Sequence, residues 1–326
     1  MKILIISGFL GAGKTTFIKK MAERTGKQFV IMENEFASLN IDAEILRTNP
    51  SAQQMKVWEL TEGCICCSLN LDFAHSVMTV ANSIDPEYLI VEPSGVAWPS
   101  RIVEQLNKIA YERIGLLAPI TIVDALHYEK SRKEYDELFK NQLYTAGTVV
   151  LSKSEKFAAD DFQRVKENLS LGTNTAFPLT HYDSWQENEW LALLNKELIV
   201  ETDNVDKPAF KFLQQELPQS EVWENISLEN IGIDNPGELA TVLEFLVHGY
   251  GGRVARAKGH FKAGGFGIRF DLVEGDYAIT GCEPPQENQA VVIGRGLRKS
   301  VIEQFFKLPK RRLKLSKGKI KKPVTV

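Results

Sequence analysis

Short apolar stretches alternate with amphipathic stretches along the first half of the chain. The apolar runs have the length and composition of strands buried in a parallel sheet, and they lie near 3–7, 28–32, 56–60, 88–92, 119–123 and 147–151. The stretches between them have helical spacing near 15–25, 68–83, 100–114, 126–140 and 158–168. This alternation predicts an α/β fold, in which helices cover both faces of a mainly parallel sheet.

The pattern changes after residue 200. Residues 201–208 read ETDNVDKP, and further polar residues follow to about position 221. A polar stretch of this kind is typical of the segment between two domains, because it offers few apolar side chains to a core. We therefore expect a first domain at 1–200, a linker at 201–221 and a smaller α+β C-terminal domain at 222–326.

The composition narrows the class of protein. Of the 326 residues, 44% are hydrophobic and 25% are charged, which is ordinary for a globular protein. No apolar run approaches the roughly 18 residues that a membrane helix needs. The opening MKILIISG is too short for a signal peptide and has the composition of a buried strand. These features predict a cytoplasmic protein with no membrane partner.

The first motif follows the first apolar run. Residues 8–15 read GFLGAGKT and fit the pattern G-x-x-x-x-G-K-[ST]. Backbone N–H groups of such a loop surround phosphate oxygens, and the following helix N-terminus favours negative charge. In this arrangement Lys14 reaches the β- and γ-phosphates, and the Thr15 hydroxyl binds Mg²⁺. The predicted phosphate-binding residues are Gly8, Gly11, Ala12, Gly13, Lys14, Thr15 and Thr16.

A second candidate group lies at the end of the fourth apolar run. That run ends in Glu92, and Gly95 follows three residues later. A carboxylate at this place in a phosphate-binding fold holds Mg²⁺ directly or through water, and a glycine amide just after it contacts the γ-phosphate. We therefore assign Lys14, Thr15 and Glu92 to catalysis of phosphoryl transfer, and Thr15 and Glu92 to Mg²⁺.

A third motif follows the sixth apolar run, where residues 152–155 read SKSE. GTPases usually have Asn-Lys-x-Asp here, and its carboxylate accepts hydrogen bonds from guanine that adenine does not offer. Glu155 carries the same acceptor one methylene further out, which favours GTP over ATP with a loosened base preference. An ordinary surface turn is the alternative. The predicted base-binding residues are Ser152, Lys153 and Glu155.

Three of the four cysteines lie within four positions, at Cys64, Cys66 and Cys67 in EGCICCSLN. The loop that carries them runs from a predicted strand to a predicted helix, so we expect it at the nucleotide edge of the sheet. A helix N-terminus favours the thiolate form of cysteine. Three thiolates supply three corners of a tetrahedral Zn²⁺ site, which also suits Co²⁺ or Cu⁺. A redox pair or buried structural cysteines are the alternatives.

Four motifs together resemble the CobW-like branch of the CobW/HypB/UreG GTPases, in the order GFLGAGKTT, NEFASLNID, GCICCSLN and VEPSG. The later stretch FKAGGFGIRFDLVEGDYAI is similar to the C-terminal domain of that branch. The resemblance implies a P-loop NTPase domain and a GTPase that delivers metal to a client metalloprotein or a cofactor-assembly protein. It adds Glu35 as a metal ligand and Asp42 as a residue for Mg²⁺. Ala37 departs from the pattern, which usually has glycine there.

Other functions stay open. One is a nucleotide-dependent chaperone that gates the loading of a cofactor, such as a corrinoid, with a merely structural metal. Another is a nucleic-acid- or ribosome-associated GTPase that uses nine Lys or Arg residues at 307–322. That tail has no interleaved aromatic residues, which counts against single-strand binding. The sequence leaves a homodimer open.

The sequence offers no convincing water-positioning glutamine and no convincing arginine for catalysis, so we expect slow intrinsic GTP hydrolysis. Three basic residues of the C-terminal part are assigned to a partner surface or to structural salt bridges. They are Arg253, Arg256 and Lys258.

Overall fold

The computed structural model describes residues 1–34, 55–59, 71–110, 113–198, 223–229, 231–263 and 265–307. At residues 33–34, 55–59 and 71–72 only the backbone is described. Several predicted features lie outside the described residues. They are the linker at 201–221, the tail from 308, Glu35, Asp42, Cys64, Cys66 and Cys67.

The first part of the chain forms a parallel sheet. Its strands are β1 (Lys2–Gly8), β2 (Phe29–Asn34), β3 (Met55–Glu59), β4 (Tyr88–Pro93), β5 (Gly115–Leu116), β6 (Ile120–Asp124) and β7 (Thr148–Ser152). They lie in the order β3-β2-β4-β1-β6-β7, with β5 paired to β1, and all these pairs are parallel. The predicted parallel sheet is therefore confirmed. The two-residue β5 is too short to produce a hydrophobic pattern.

Helices pack on both faces of this sheet, as predicted. They are α1 (Lys14–Thr25), α2 (Leu71–Ser83), α3 (Pro99–Ile109), α4 (Tyr128–Glu134), α5 (Asp136–Thr145), α6 (Ala159–Leu169) and α7 (Glu187–Asn195). On one face, Val77 of α2 and Leu106 of α3 share a buried cluster with Leu89 of β4. On the other face, Phe17 of α1 and Trp190 of α7 pack with ring centroids 5.1 Å apart.

One predicted helix was wrong, because the stretch near 126–140 forms α4 and α5 rather than a single helix. The break lies at Tyr135, whose backbone has φ −135° and ψ 44°. The ring of Tyr135 is buried, stacks on Phe9 at 4.8 Å and lies 5.1 Å from Trp223. These contacts join distant parts of the chain, so helical spacing along the sequence does not reveal them.

The C-terminal part forms an antiparallel sheet with helices on one face. Its strands are β8 (Glu224–Glu229), β9 (Arg253–Ala263), β10 (Phe266–Val273), β11 (Asp276–Cys282) and β12 (Gln289–Arg295), and its helices are α8 (Pro236–Val247) and α9 (Lys299–Phe306). The strand order is β11-β10-β9-β12-β8. Leu239 of α8, Ile302 of α9 and Phe261 of β9 share a buried cluster. The predicted α+β architecture is confirmed, and the predicted domain limits stay predictions.

The other face of the second sheet packs against the first part of the chain. Val291 and Ile293 of β12 share a buried apolar cluster with Phe9, Leu10 and Leu138. Phe9 and Leu10 belong to the predicted phosphate-binding loop, so the core of the protein continues from that loop into the second sheet. In the part of the chain that the structure describes, no helix has the length and apolarity to cross a membrane.

Candidate functional site

The loop between β1 and α1 has the conformation that its motif predicts. Gly11 and Gly13 have φ values of +67° and +88°, in the left-handed region that glycine adopts more readily than other residues. Lys14 begins α1 and is only 7% exposed. Its Nζ donates to the backbone carbonyls of Gly8 at 3.2 Å and Phe9 at 3.4 Å. The ammonium group therefore lies over the loop in which phosphates are predicted to bind.

Thr15 and Glu92 meet at the carboxyl end of the sheet. The Thr15 hydroxyl donates to Glu92 Oε1 at 3.0 Å and to Oε2 at 3.4 Å. A hydroxyl and a carboxylate are hard oxygen ligands of the kind that Mg²⁺ prefers. The donor set that the structure brings together therefore fits Mg²⁺.

The loop and Glu92 line one cavity of about 220 Å³. Thr16 and Gly95 lie in the same wall, together with Lys14 and Thr15. Gly95 packs closely against the loop, because a Cβ at this position would lie 2.5 Å from the backbone nitrogen of Leu10. The structure thus brings most residues of the two predicted motifs into one cavity, but the predicted loop residues Gly8 and Ala12 do not line it.

The second sheet closes another part of this cavity, which the sequence did not predict. Arg256 of β9, Asp271 of β10 and Ile293 of β12 line it. Arg256 Nε lies 3.2 Å from Asp271 Oδ1, and Arg256 Nη2 lies 3.1 Å from Oδ2. The Arg256 side chain is only 12% exposed. A salt bridge was one of the two predicted roles of Arg256, but its place beside the phosphate-binding loop depends on strand pairing that the sequence does not display.

The segment predicted to bind the base divides into two environments. Ser152 is buried, and its Oγ donates to the backbone carbonyl of Ala12 in the phosphate-binding loop at 2.6 Å. Glu155 is 60% exposed at its side chain and lies 3.6 Å from His181 Nε2. The Ser152 hydroxyl therefore stabilises the loop, while the Glu155 carboxylate faces outward. Base binding by this segment stays a prediction.

Lys153 takes part in a polar cluster that the sequence did not predict. Lys153 Nζ and His127 Nδ1 lie 2.6 Å and 3.0 Å from Asp124 Oδ2. Burial raises the pKa of the Asp124 carboxyl, but the hydrogen bonds from Lys153, His127 and the backbone N–H of Leu126, together with the charge of Lys153, hold the pKa below its ordinary value. His127 Nε2 lies 3.4 Å from Asp276 of β11. The cluster thus connects the predicted base-binding segment to the second sheet.

The strands that lead into the other predicted metal residues are β2, which pairs with β4 beside Glu92, and β3, which pairs with the far side of β2. In register, Glu33 of β2 is the partner of Glu92 in β4 and of Glu59 in β3. The sequence continues from β2 into Glu35 and from β3 towards the three clustered cysteines, none of which is among the described residues. Within the described residues, no group of three His, Cys, Asp or Glu side chains is arranged to hold a metal ion.

The family model for the CobW/HypB/UreG nucleotide-binding domain matches residues 2–177. The chain belongs to the CobW/HypB/UreG family. The matched region begins at the first residue of β1 and includes the phosphate-binding loop, Glu92 and residues 152–155. The predicted family membership is therefore confirmed.

Individual relatives of this CobW/HypB/UreG chain carry names that refer to zinc. Zinc chaperone CobW of Pseudomonas aeruginosa is 30% identical over 199 residues, which cover 52% of this chain and 53% of the relative. Zinc chaperone YjiA of Escherichia coli is 26% identical over 272 residues, which cover 79% of this chain and 80% of the relative. The chain spans about half the length of the CobW relative that it matches.

Among solved structures, the crystal structure of Zn(II)-bound YjiA GTPase from E. coli aligns with a TM-score of 0.44 and 20% sequence identity. This alignment covers 94% of the present chain and 98% of the YjiA chain.

Proposed function

We propose that this CobW/HypB/UreG family member is a GTP-hydrolysing metallochaperone. It binds Zn²⁺ or Co²⁺ at Cys64, Cys66 and Cys67 and transfers the ion to a client metalloprotein or a cofactor-assembly protein. The observation that carries the proposal is the contact between Thr15 and Glu92 beside the phosphate-binding loop. The names of the zinc-chaperone relatives support metal as the cargo.

The nucleotide part of the proposal follows from the cavity. Lys14 and the loop amides bind the β- and γ-phosphates, and Thr15, Glu92 and Asp42 hold Mg²⁺. When bound, Mg²⁺ neutralises charge on the phosphate oxygens. A water oxygen attacks the γ-phosphorus, and the bond from phosphorus to the β–γ bridging oxygen breaks. The products are GDP and inorganic phosphate, and a proton passes to solvent.

The selection of the base depends on residues 152–155. Glu155 accepts the two hydrogen bonds that guanine offers, while Ser152 holds the loop by its contact with the Ala12 carbonyl. His181 lies beside Glu155. Its Nδ1 accepts from the backbone N–H of Asp183 at 3.3 Å, and its Nε2 lies 3.6 Å from Glu155 Oε1.

The cargo part of the proposal uses the three clustered cysteines, with Glu35 as a further ligand. Three thiolates bind Zn²⁺ and Co²⁺ strongly and leave a fourth position for Glu35 or for the client. The ends of β2 and β3 lie in register with Glu92, which supports coupling between this cargo and the nucleotide.

The bound nucleotide controls the metal site because it determines whether the surrounding loops are ordered. GTP orders the segment around Glu35 and Asp42, which completes the metal site with the cysteines. Loss of the γ-phosphate removes the contacts that hold this segment, and the ligands separate, as in other nucleotide-dependent switches. The metal ion then passes to the client.

The test follows Zn²⁺ and phosphate in one reaction. The protein is loaded with one equivalent of Zn²⁺ and GTP·Mg²⁺, and transfer of Zn²⁺ to a chelating dye is recorded together with phosphate release. We expect the two signals to rise together, and we expect Zn²⁺ to stay bound with a non-hydrolysable GTP analogue. Lys14→Ala serves as the control that lacks phosphoryl transfer but keeps the cysteines.

Two results would contradict the proposal. Transfer of Zn²⁺ at the same rate with GTP, GDP and the analogue would show that the nucleotide does not control the cargo. Phosphate release without any Zn²⁺ binding by Cys64, Cys66 and Cys67 would exclude the metal from the cycle.

A further inference from the structure

We propose that Arg256, a residue of the second sheet, contacts the γ-phosphate of bound GTP, and that Asp271 positions its guanidinium group. This inference rests on the proposed GTPase function and deepens it. It assigns a phosphate-sensing and catalytic role to the C-terminal part of the chain.

The first support is the place of Arg256. Its side chain lines the same cavity as Thr15, Glu92 and Gly95. Glu92 at the end of β4 and Gly95 just after it mark the end of the cavity where Mg²⁺ and the γ-phosphate are expected, because β4 pairs with β1, the strand that leads into the phosphate-binding loop. Arg256 therefore lines the cavity in which the transferred phosphoryl group is expected, although it belongs to the second sheet and not to the phosphate-binding loop.

The second support is the rigidity of its backbone. In register, Arg256 has Val273 of β10 on one side and Ile293 of β12 on the other. A Cβ built at Gly11 would lie 2.8 Å from Val273 Cγ1, so this valine packs directly against the phosphate-binding loop. Ile293 is buried in one cluster with Leu10 of the same loop. Both neighbours of Arg256 thus fix its strand to the loop.

The third support is the orientation of the guanidinium. Asp271 contacts Nε and Nη2 through its two carboxylate oxygens, an arrangement that holds the plane of the group as well as its position. A planar guanidinium also matches the geometry of phosphate oxygens. The Asp271 carboxylate alone would repel a bound triphosphate. The positive charge of Arg256 compensates the negative charge of Asp271 in this part of the cavity.

The neighbouring Arg253 shows what a purely structural arginine looks like on the same strand. It pairs with Glu134 of α4 at 2.9 Å and lies over the Tyr135 ring at 5.1 Å. It lines a different groove, together with Lys130 and Glu134. Arg253 therefore joins the second sheet to the first part of the chain without reaching the nucleotide cavity, and it is a matched control.

With this contact, Arg256 distinguishes bound GTP from bound GDP, in addition to the loops around the metal site. An arginine that stabilises charge on the transferred phosphoryl group accelerates hydrolysis by about 10³- to 10⁵-fold in other GTPases. After hydrolysis the contact between Arg256 and the γ-phosphate is lost. The loss acts directly on β9 and therefore on the second sheet. A client bound to the second sheet would then respond to hydrolysis without touching the nucleotide.

The test measures nucleotide affinity and single-turnover hydrolysis in four proteins, which are the wild type, Arg256→Ala, Arg256→Lys and Arg253→Ala. For each, the Kd of GDP·Mg²⁺ and of a non-hydrolysable GTP analogue is measured by fluorescence, together with the Tm. In Arg256→Ala we expect the preference for the analogue over GDP to fall at least ~10-fold and hydrolysis to slow by about 10³-fold or more. Arg256→Lys should have a preference and a rate between those of the wild type and Arg256→Ala. Arg253→Ala should keep the wild-type preference for the analogue over GDP.

Asp271→Asn tests the positioning role. We expect kcat to fall with little change in KM, because the arginine keeps its charge but loses its fixed orientation. Asp271→Glu restores part of kcat. Equal kcat in the wild type and Asp271→Asn would exclude a positioning role for this carboxylate.

Other results overturn the inference. If Arg256→Ala and Arg256→Lys retain the preference and the rate, Arg256 does not contact the γ-phosphate. If both variants lose affinity for GDP and the analogue equally, with a lowered Tm, Arg256 is structural. If the wild type itself neither prefers the analogue nor hydrolyses GTP, the proposed function fails first, and the variants are not needed to show it.

Discussion

The Thr15 hydroxyl lies 3.0 Å from Glu92 Oε1, although the two residues are separated by 77 positions in the chain. This contact joins the first turn of α1 to the end of β4. Thr15 belongs to the complete phosphate-binding motif, whereas an apolar run that ends in an acid such as Glu92 is a weak signal on its own. Their contact places one hard oxygen ligand from each motif at the same point, beside the phosphate-binding loop, and this is the feature on which the GTPase account depends.

The first prediction concerns the charge of Glu92. Glu92→Gln keeps an oxygen that accepts from Thr15 but removes the negative charge that Mg²⁺ requires. We expect half-maximal hydrolysis to need a higher Mg²⁺ concentration, and the maximal rate to fall by roughly 10²-fold, as for loss of a single electrostatic group at a catalytic site. Phosphate release is measured against Mg²⁺ concentration.

The control for Glu92 is Glu104→Gln. Glu104 is an exposed acid of α3 that pairs with Lys108 at 3.1 Å. Its variant should behave as the wild type. An unchanged Mg²⁺ dependence in Glu92→Gln would remove Glu92 from the magnesium site.

The second prediction concerns the hydroxyl of Ser152. Ser152→Ala removes the donor to the Ala12 carbonyl and leaves a buried acceptor without it, which costs about 1–2 kcal/mol of stability. Because this loop is proposed to bind the phosphates common to GDP and GTP, both affinities should fall several-fold with their ratio unchanged. Isothermal titration calorimetry with each nucleotide measures this effect.

Ser154→Ala is the matched variant for Ser152. Ser154 is also buried, and its Oγ donates to the Leu151 carbonyl at 3.2 Å. We expect a similar loss of stability without loss of affinity. If Ser152→Ala bound both nucleotides as tightly as the wild type, the hydroxyl would have no part in holding the loop.

The third prediction concerns the contact between Gly11 and Val273. Gly11→Ala meets two penalties, the positive φ of +67° and a Cβ 2.8 Å from Val273 Cγ1. Val273→Ala relieves only the second. In a double-mutant cycle of unfolding free energies, the two substitutions should therefore be less destabilising together than their sum, by about 1 kcal/mol.

Gly26→Ala is the control for this cycle. Gly26 has a φ of +61°, but a Cβ there meets nothing within 4 Å. It should show the cost of positive φ alone and no coupling to Val273→Ala. Additive effects of Gly11→Ala and Val273→Ala would mean that the second sheet does not press on the phosphate-binding loop.

The fourth prediction concerns the pH dependence of stability at Glu274, whose Oε1 accepts from Ser131 at 3.1 Å. Burial raises the pKa of Glu274 above its ordinary value of 4.5, and Glu134 adds to this effect, while Ser131, Lys130 and His127 oppose it. The folded state thus binds more protons than the unfolded state, so this group's contribution to stability falls as the pH rises from 4.5 through the folded pKa.

Glu274→Gln should remove that decline. Tm is measured from pH 4.5 to 7.5, and the variant should gain in Tm relative to the wild type as the pH rises. The control variant is Glu303→Gln, at a partly exposed acid of α9 that lies 3.9 Å from Lys307 Nζ. Parallel curves for Glu274→Gln and the wild type would show that Glu274 has no raised pKa.

The sequence predicted those parts of the fold that local pattern determines. The strand and helix on either side of the phosphate-binding loop appeared at β1 and α1 with boundaries that differ by one residue. The meeting of the phosphate-binding loop and Glu92 at one edge of the sheet also followed, because parallel strands bring their carboxyl ends together. The helix break at Tyr135 did not follow, because it accompanies contacts with Phe9 and Trp223 that are distant in the chain.

The residues of the candidate site likewise divide into those that the sequence predicted and those that depend on contacts between distant parts of the chain. Lys14, Thr15 and Glu92 belong to contiguous motifs and were predicted. Arg256 reaches the cavity only because β9 pairs with β10 and β12 in a particular register and this sheet packs on the loop. Sequence spacing contains no signal for such a contact between two sheets.

The most direct test of the account is the affinity of the protein for Co²⁺ in two nucleotide states. Co²⁺ is titrated in the presence of GDP·Mg²⁺ and of a non-hydrolysable GTP analogue with Mg²⁺, and binding is followed by thiolate charge-transfer absorption. The account predicts binding at least ~10-fold tighter in the GTP-like state, with the absorption lost in Cys66→Ala. Equal affinity in both states would contradict a nucleotide-controlled metal site.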